Sequence, residues 1–152
     1  GWVAVRGGCE DVGVTRHVFP LKPRWSDLDA YNHVNNVTWL EYLQEARVDM
    51  LFVHAPARGA EQLAEGVLVA RAEIDYKLPM TFRQEPYPIE MWVTKIGAAF
   101  FTIGYEIVDT DAAGSRTLYG VASTVLAPVD LATGRPRRVT AAEREVLERF
   151  LE

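Results

Sequence analysis

The pattern of hydrophobic and polar positions predicts one long helix near the middle of the chain. Asn35 or Asn36 is suited to cap its start, and Pro56 with Gly59 ends it. Apolar residues recur between these limits at helical spacing and form two adjoining faces. One face comprises Val37, Leu40, Gln44, Val48 and Leu51, and the other comprises Trp39, Leu43, Ala46, Met50 and Val53. A helix that is apolar over so wide an arc has to be covered on more than one side.

Strand patterns surround this helix. Residues 14–23, with two prolines, predict a strand at a sheet edge, and strict alternation over residues 67–78 predicts the clearest strand. Residues 89–96, 99–108 and 116–126 follow as strands on hairpin-length links, the first closed at Gly97-Ala98, which indicates antiparallel pairing. Thr140 and Glu143 form a capping box before a short terminal helix. The order predicts an α+β fold in which a curved antiparallel sheet of about five strands wraps the long helix.

Length and composition limit the class of protein. The 152 residues, 49% of them hydrophobic, fit one domain, which we assign to residues 14–152, with residues 1–13 as a flexible lead-in. Cys9 is the single cysteine, so an internal disulfide is excluded and a reducing, cytoplasmic location is expected. The longest apolar stretch, residues 96–105, has about half of the roughly 20 residues that a membrane helix needs. We therefore expect no membrane span.

The net charge is −5, from 21 acidic and 16 basic residues. No long run of lysine and arginine interrupts this acidic balance. Binding along a nucleic-acid backbone requires many cationic contacts, so we expect no nucleic-acid partner.

Candidate chemistry is concentrated in a polar loop, residues 24–36, between the first strand and the long helix. Unsatisfied N–H groups at a helix start, with a dipole equivalent to roughly +0.5 charge, favour an anion or a developing oxyanion. Asp27 and Asp29 lie a few residues upstream, where a carboxylate could attack or activate water. Aspartate is also common in turns before helices, so the loop alone leaves a structural role open as well.

This loop and the helix after it resemble a known family. The run W-S-D-L-D-A-Y-N-H-V-N-N-V-x-W-L-x-Y-L-x-E-A-R, residues 25–47, is similar to the hot-dog-fold acyl-CoA thioesterases of the 4-hydroxybenzoyl-CoA thioesterase type. Residues 74–77 and 129–136 also fall where that family has similar residues. The resemblance implies a hot-dog fold, hydrolysis of an acyl-CoA, and a homodimer or homotetramer with its active site at the subunit interface. It implies no cofactor beyond the coenzyme A of the substrate.

Individual roles follow from the same resemblance. Asp29 matches the catalytic carboxylate, and its action as nucleophile or as general base is left open. The backbone N–H of Asn36, or of Asn35, matches the oxyanion donor, whereas Asp27 is expected to hold the turn together. His33, Asn32 and Tyr31 are expected to contact substrate or to shape the loop. Phe82 and Tyr87 lie in the proline-bounded loop at residues 79–88, and from that position we expect them to contact the acyl group or the subunit interface.

Several alternatives stay open. The basic cluster Arg135, Arg137 and Arg138 could hold the phosphates of coenzyme A, or it could be a solvated turn. His33 and the two aspartates supply too few ligands for a metal, and His17 and His54 belong to no ligand motif, so we expect no metal site. The acyl group and its carrier, coenzyme A or a carrier protein, are undetermined. A non-catalytic hot-dog module that binds acyl-CoA or a lipid-like ligand is the alternative function.

Overall fold

An antiparallel sheet curled around one long helix makes up most of the computed structural model, which describes residues 16–57, 59, 63 and 66–152. The lead-in expected at residues 1–13 lies outside the described residues. Five strands pair in the order β1-β3-β4-β5-β2, all antiparallel. Their bounds are His17–Leu21 (β1), Val67–Tyr76 (β2), Tyr87–Ile96 (β3), Phe101–Thr110 (β4) and Arg116–Asp130 (β5). This confirms the predicted α+β class and the antiparallel pairing.

The long helix has three consecutive parts. They are α1 (Asn36–Val48), a π-helical turn (Asp49–His54) and α2 (Ala55–Ala57), which together we call the central helix. One predicted apolar face is buried against the sheet through Trp39, Leu43, Ala46 and Met50. Val53, predicted on that face, is exposed, whereas Leu51, predicted on the other, is buried. Both lie in the π turn, whose wider winding shifts residues relative to α-helical spacing.

The second predicted face of the central helix is uncovered. Val37, Leu40 and Val48 are exposed, and so is Phe52 in the π turn. The edge strand β2 continues this uncovered region, because most of its ten residues are exposed, Leu68 and Val69 among them. We call these six residues the open apolar surface. Contiguous exposed apolar area next to an unpaired strand edge is typical of a protein interface.

The C-terminal segment closes one end of the sheet. A two-residue strand, β6 (Arg135–Pro136), pairs with the end of β5, and α3 (Ala141–Glu148) follows. The predicted capping box is confirmed, since the Thr140 hydroxyl accepts from the Glu143 N–H at 3.1 Å and a Glu143 carboxylate oxygen accepts from the Thr140 N–H at 2.8 Å. Among the described residues, no helix is long and apolar enough to cross a membrane.

Several predicted strand limits are off by two to four residues, and two of these differences have a clear cause. The β3–β4 turn spans residues 97–100 rather than Gly97-Ala98, because the Gly97 N–H donates to the Phe100 carbonyl at 2.7 Å. The Phe100 ring packs over Gly97 so closely that a Cβ there would lie 2.2 Å from it. Strand β5 also continues past its predicted end at Leu126, since the pairing of Val67 with Pro128 extends the ladder.

Candidate active site

The polar loop folds into a tight turn with Asp29 at its base. Leu28 and Val34 pair as an antiparallel bridge, and within it the Asp29 N–H donates to the His33 carbonyl at 2.8 Å. The Asn32 N–H donates to the Asp29 carbonyl at 3.0 Å, and Asn32 has a left-handed φ of 59°. Asparagine tolerates this conformation better than most side chains, so its position explains how the chain reverses here.

The Asp29 carboxylate is held by the loop that it organises. Its Oδ1 accepts from the backbone N–H of Tyr31 at 2.8 Å and from that of His33 at 3.3 Å. In the part of the chain that the structure describes, Oδ2 receives no hydrogen bond. The side chain is half-buried and borders a cavity. One carboxylate oxygen is thus fixed, and the other is open to a reactant.

That cavity has a volume of about 340 Å³ and lies between the loop, the start of α1 and the end of β2. Its lining consists of Asp29, His33, Val34, Asn36, Trp39, Tyr76, Lys77, Leu78 and Pro79. Tyr76 ties two of these elements together, since its hydroxyl donates to the Asn36 carbonyl at 2.9 Å and its ring meets Trp39 edge-on at 4.8 Å. A charged loop and an aromatic wall therefore face the same space.

The first N–H groups of α1 have different partners. The Asn35 side chain accepts from the Val37 N–H at 2.9 Å, and the Asn35 carbonyl accepts from the Thr38 N–H at 2.9 Å. The Asn35 N–H itself donates to the Asp27 carbonyl at 2.9 Å, so it is not available as an oxyanion donor. Within the described residues, the Asn36 N–H has no acceptor. The Asn36 N–H thus remains the candidate oxyanion donor.

Asp27 is buried and structural, as expected. Its carboxylate accepts from the Tyr42 hydroxyl at 2.5 Å and from the Arg24 guanidinium and backbone N–H at 2.9 Å and 3.0 Å. Burial raises the pKa of Asp27, but the hydrogen bonds from Tyr42 and Arg24 outweigh it and hold the pKa below its usual range. Burial of the Tyr42 hydroxyl and its hydrogen bond to the Asp27 carboxylate raise the pKa of Tyr42. The two aspartates of the loop thus lie in different environments.

The other expected contact residues are only partly brought together. His33 borders the Asp29 cavity, whereas Tyr31 and Asn32 occupy the exposed tip of the turn, Tyr31 at 80% exposure. Phe82 packs edge-on against Trp25 at 5.5 Å and is not among the residues lining this cavity. Tyr76 was not predicted as a site residue, because strand alternation places it in β2 without showing what it faces.

The basic cluster lies far from this cavity within one chain. Arg137 pairs with the buried carboxylate of Glu143 at 2.7 Å, while Arg135 and Arg138 are exposed. These arginines follow the end of β5 that pairs with Val67, whereas the cavity borders Tyr76, at the far end of β2. Pro128, which pairs with Val67, and Gly120, which pairs with Tyr76, are eight positions apart on β5. At roughly 3.3 Å per residue this is a distance of about 26 Å.

Comparison with known proteins gives a family match over most of the chain. The model of the thioesterase-like superfamily matches residues 23–150. No curated protein sequence matches the chain.

Solved structures share the fold. A protein from Bacillus stearothermophilus described as a predicted thioesterase has a TM-score of 0.75 at 21% identity, covering 91% of this chain and 98% of that one. A thioesterase from Thermus thermophilus, solved with coenzyme A and Zn, has a TM-score of 0.69 at 24% identity, covering 86% and 90%. A mutant 4-hydroxybenzoyl-CoA thioesterase in complex with 4-hydroxybenzoyl-CoA has a TM-score of 0.71 at 13% identity, covering 87% and 98%. These likenesses confirm the hot-dog fold.

Proposed function

Because the chain belongs to the thioesterase-like superfamily, we propose that it hydrolyses acyl-CoA thioesters in the cavity beside Asp29. The observation that carries the proposal is that the open oxygen of the Asp29 carboxylate and the open N–H of Asn36 belong to residues lining one cavity. A thioester carbonyl placed between them would meet a base or nucleophile and an oxyanion donor together.

The reaction consumes water and releases a carboxylic acid and the thiol of coenzyme A. Asp29 either attacks the carbonyl carbon, forming an anhydride that water then opens, or takes a proton from the attacking water. In both routes the carbonyl oxygen becomes negatively charged, and the Asn36 N–H at the helix start would stabilise it. A donor of this kind contributes about 10²–10³ in rate.

Two structural relatives support acyl-CoA as the substrate class. The Thermus thermophilus thioesterase was solved with coenzyme A, and the 4-hydroxybenzoyl-CoA thioesterase mutant was solved with an aryl-CoA. The half-open cavity here has an aromatic wall of Trp39 and Tyr76, which is suited to an apolar acyl group.

The active form would be a homodimer joined through the open apolar surface. Antiparallel pairing of two β2 edges about a two-fold axis places the Val67 end of one copy beside the Tyr76 end of the other. An apolar groove of about 210 Å³ lies at the Val67 end, lined in part by Val48, Phe52 and Val69. In a dimer this groove would extend the Asp29 cavity of the second copy and could take the acyl chain.

The same pairing would bring the basic cluster of one copy close to the cavity of the other. Arg135 and Arg138 lie near the end of β5 that borders Val67, so each copy would carry them toward its partner's cavity. Their exposed guanidinium groups match phosphate oxygens, so they would bind the phosphates of coenzyme A across the interface.

Thiol release from a panel of aryl, medium-chain and long-chain acyl-CoAs tests the activity. Asp29→Asn should lower kcat/KM by about 10²–10⁴-fold, the usual contribution of a positioned acid or base. Asp111→Asn is the matched control, because Asp111 likewise accepts from two backbone N–H groups in an exposed turn and lies outside the cavity. Absence of turnover with saturable binding would favour an acyl-CoA-binding module, and full activity of Asp29→Asn would exclude its catalytic role.

Analytical ultracentrifugation tests the dimer. Val69→Arg should yield a monomer with little thioesterase activity although Asp29 is unchanged, because a charge on the β2 edge opposes pairing. Ala112→Arg, in the exposed β4–β5 turn, should remain dimeric and active. A wild-type chain that is active as a monomer would refute the shared site.

A further inference from the structure

Two histidines and an aspartate converge at the end of the central helix opposite to Asp29. The Nε2 atoms of His17 and His54 lie 2.8 Å and 3.4 Å from the same oxygen, Oδ2 of Asp49. The three potential ligand atoms all lie within 4.8 Å of one another. His17 comes from β1, while Asp49 and His54 come from the helix. The cluster therefore joins β1 to a helical turn that begins 32 positions after His17.

The π-helical turn creates this arrangement. His54 lies five positions after Asp49, and in an α-helix, at about 100° per residue, that spacing points side chains in clearly different directions. A π turn closes hydrogen bonds over five residues, as between the Ala55 N–H and the Met50 carbonyl, and brings such residues onto one face. Turns of this kind are rare and occur often at functional sites.

We propose that His17, Asp49 and His54 bind one divalent transition-metal ion, Zn²⁺ being the best match. Two imidazoles and a carboxylate with a water as fourth ligand is a common zinc set. Bonds of about 2.0–2.2 Å to a tetrahedral ion place neighbouring ligand atoms roughly 3.3 Å apart. The distances from the two histidine nitrogens to the Asp49 oxygen, 2.8 Å and 3.4 Å, lie on either side of that value. Because His54 is half exposed, its ring has room to move and a water has room to bind the ion.

The position of the ion indicates what it does. Asn36, at the start of α1, and Asp49 are 13 residues apart, about 20 Å along a helix. Within one chain the ion therefore lies outside the Asp29 cavity. It links the edge strand β1 to the central helix, beside the ring of Phe150, which meets His17 edge-on at 6.2 Å. Zinc should consequently raise the melting temperature without changing turnover.

Calorimetric titration of Zn²⁺ into the tag-free 152-residue chain tests the site, in a Cys9→Ser background that removes its one thiol. We expect one equivalent per chain, an increase in Tm, and the visible absorption of tetrahedral Co²⁺ when cobalt replaces zinc. His54→Ala should lower zinc affinity by more than the roughly 10–100-fold that loss of an outer-shell partner costs, and should abolish the cobalt spectrum. His33→Ala, which removes the one histidine outside the cluster, should bind as the parent does.

The variants also separate the metal site from a simple hydrogen-bonded His–Asp–His group. Because His54 is half exposed, its truncation should leave the far-ultraviolet circular dichroism unchanged, and Asp49→Asn provides a second ligand variant. Zinc binding that is equal in His54→Ala and the parent, or no binding by the parent at all, would overturn the proposal. Loss of thioesterase turnover on metal removal at a temperature well below Tm would overturn the purely structural role.

Discussion

The hydroxyl of Tyr42 donates a 2.5 Å hydrogen bond to Oδ2 of the buried Asp27. Tyr42 is on the second turn of α1 and Asp27 is in the polar loop, so this contact fixes the loop against the helix. The backbone of Asp27 also holds the loop against the helix, because its carbonyl accepts a hydrogen bond from the Asn35 N–H at 2.9 Å. Asp27 thus determines both where the loop lies and which N–H at the helix start stays open.

Tyr42→Phe should lower the free energy of unfolding by about 1.5–3 kcal/mol, because the buried carboxylate of Asp27 loses a hydrogen-bond donor. Urea unfolding followed by circular dichroism measures the difference at neutral pH. Tyr31→Phe is the control, since Tyr31 is 80% exposed, and it should change stability by less than about 0.5 kcal/mol. Equal losses in the two variants would contradict the role of this contact.

The contribution of Tyr42 should also depend on pH. Asp27 has a pKa held below its usual range despite burial, and such a group stabilises the folded state above its unfolded pKa of about 3.9. That stability disappears as the pH falls through the folded pKa. The stability difference between wild type and Tyr42→Phe should therefore be constant from pH 7 to about pH 5 and narrow below about pH 4. Urea unfolding of both proteins across this pH range measures the stability difference. A difference that grows as the pH falls would contradict the role assigned to the ionised Asp27 carboxylate.

Asn35→Ala should cost about 0.5–2 kcal/mol of stability, because the Val37 N–H loses the side-chain oxygen that caps it. Since the cap also orients the neighbouring Asn36 N–H, kcat on the best acyl-CoA should fall as well. Asn35→Ser retains a capping oxygen and should recover most of both losses. If the serine variant is as impaired as the alanine variant in both assays, side-chain capping is not the cause.

Two adjacent arginines should give opposite phenotypes. Arg137→Ala leaves the buried Glu143 carboxylate without its ion-pair partner and should lower stability by about 2–3 kcal/mol. This is less than the roughly 3–5 kcal/mol of a fully buried pair, because Arg137 keeps solvent access and the Thr140 N–H still binds Glu143.

Arg138→Ala, in contrast, should leave stability unchanged and raise KM for acyl-CoA by about 2–5-fold, the size of one exposed ion pair. Urea unfolding and steady-state kinetics on both variants separate the roles. A Michaelis constant that Arg138→Ala leaves unaltered would remove the arginine from coenzyme A binding.

The elements and the family could be predicted from local sequence signals. The spacing of apolar residues located the central helix and the strands, and the Thr140–Glu143 pair located α3, because these signals are local and a few residues decide them. The run around Asp29 identified the loop that borders the cavity. The distinction between Asp27 and Asp29 also came from that run, through the family resemblance.

Contacts between residues distant in the chain became visible only in the folded protein. The Asn35 N–H is engaged because Asp27, eight residues earlier, folds back onto it, and Tyr76 reaches the site because β2 pairs with β5. His17, Asp49 and His54 form no sequence motif, since a strand and a π turn have to meet before they share one point. Spacing along a chain predicts neighbours on one element, but a site built from several elements depends on how they pack.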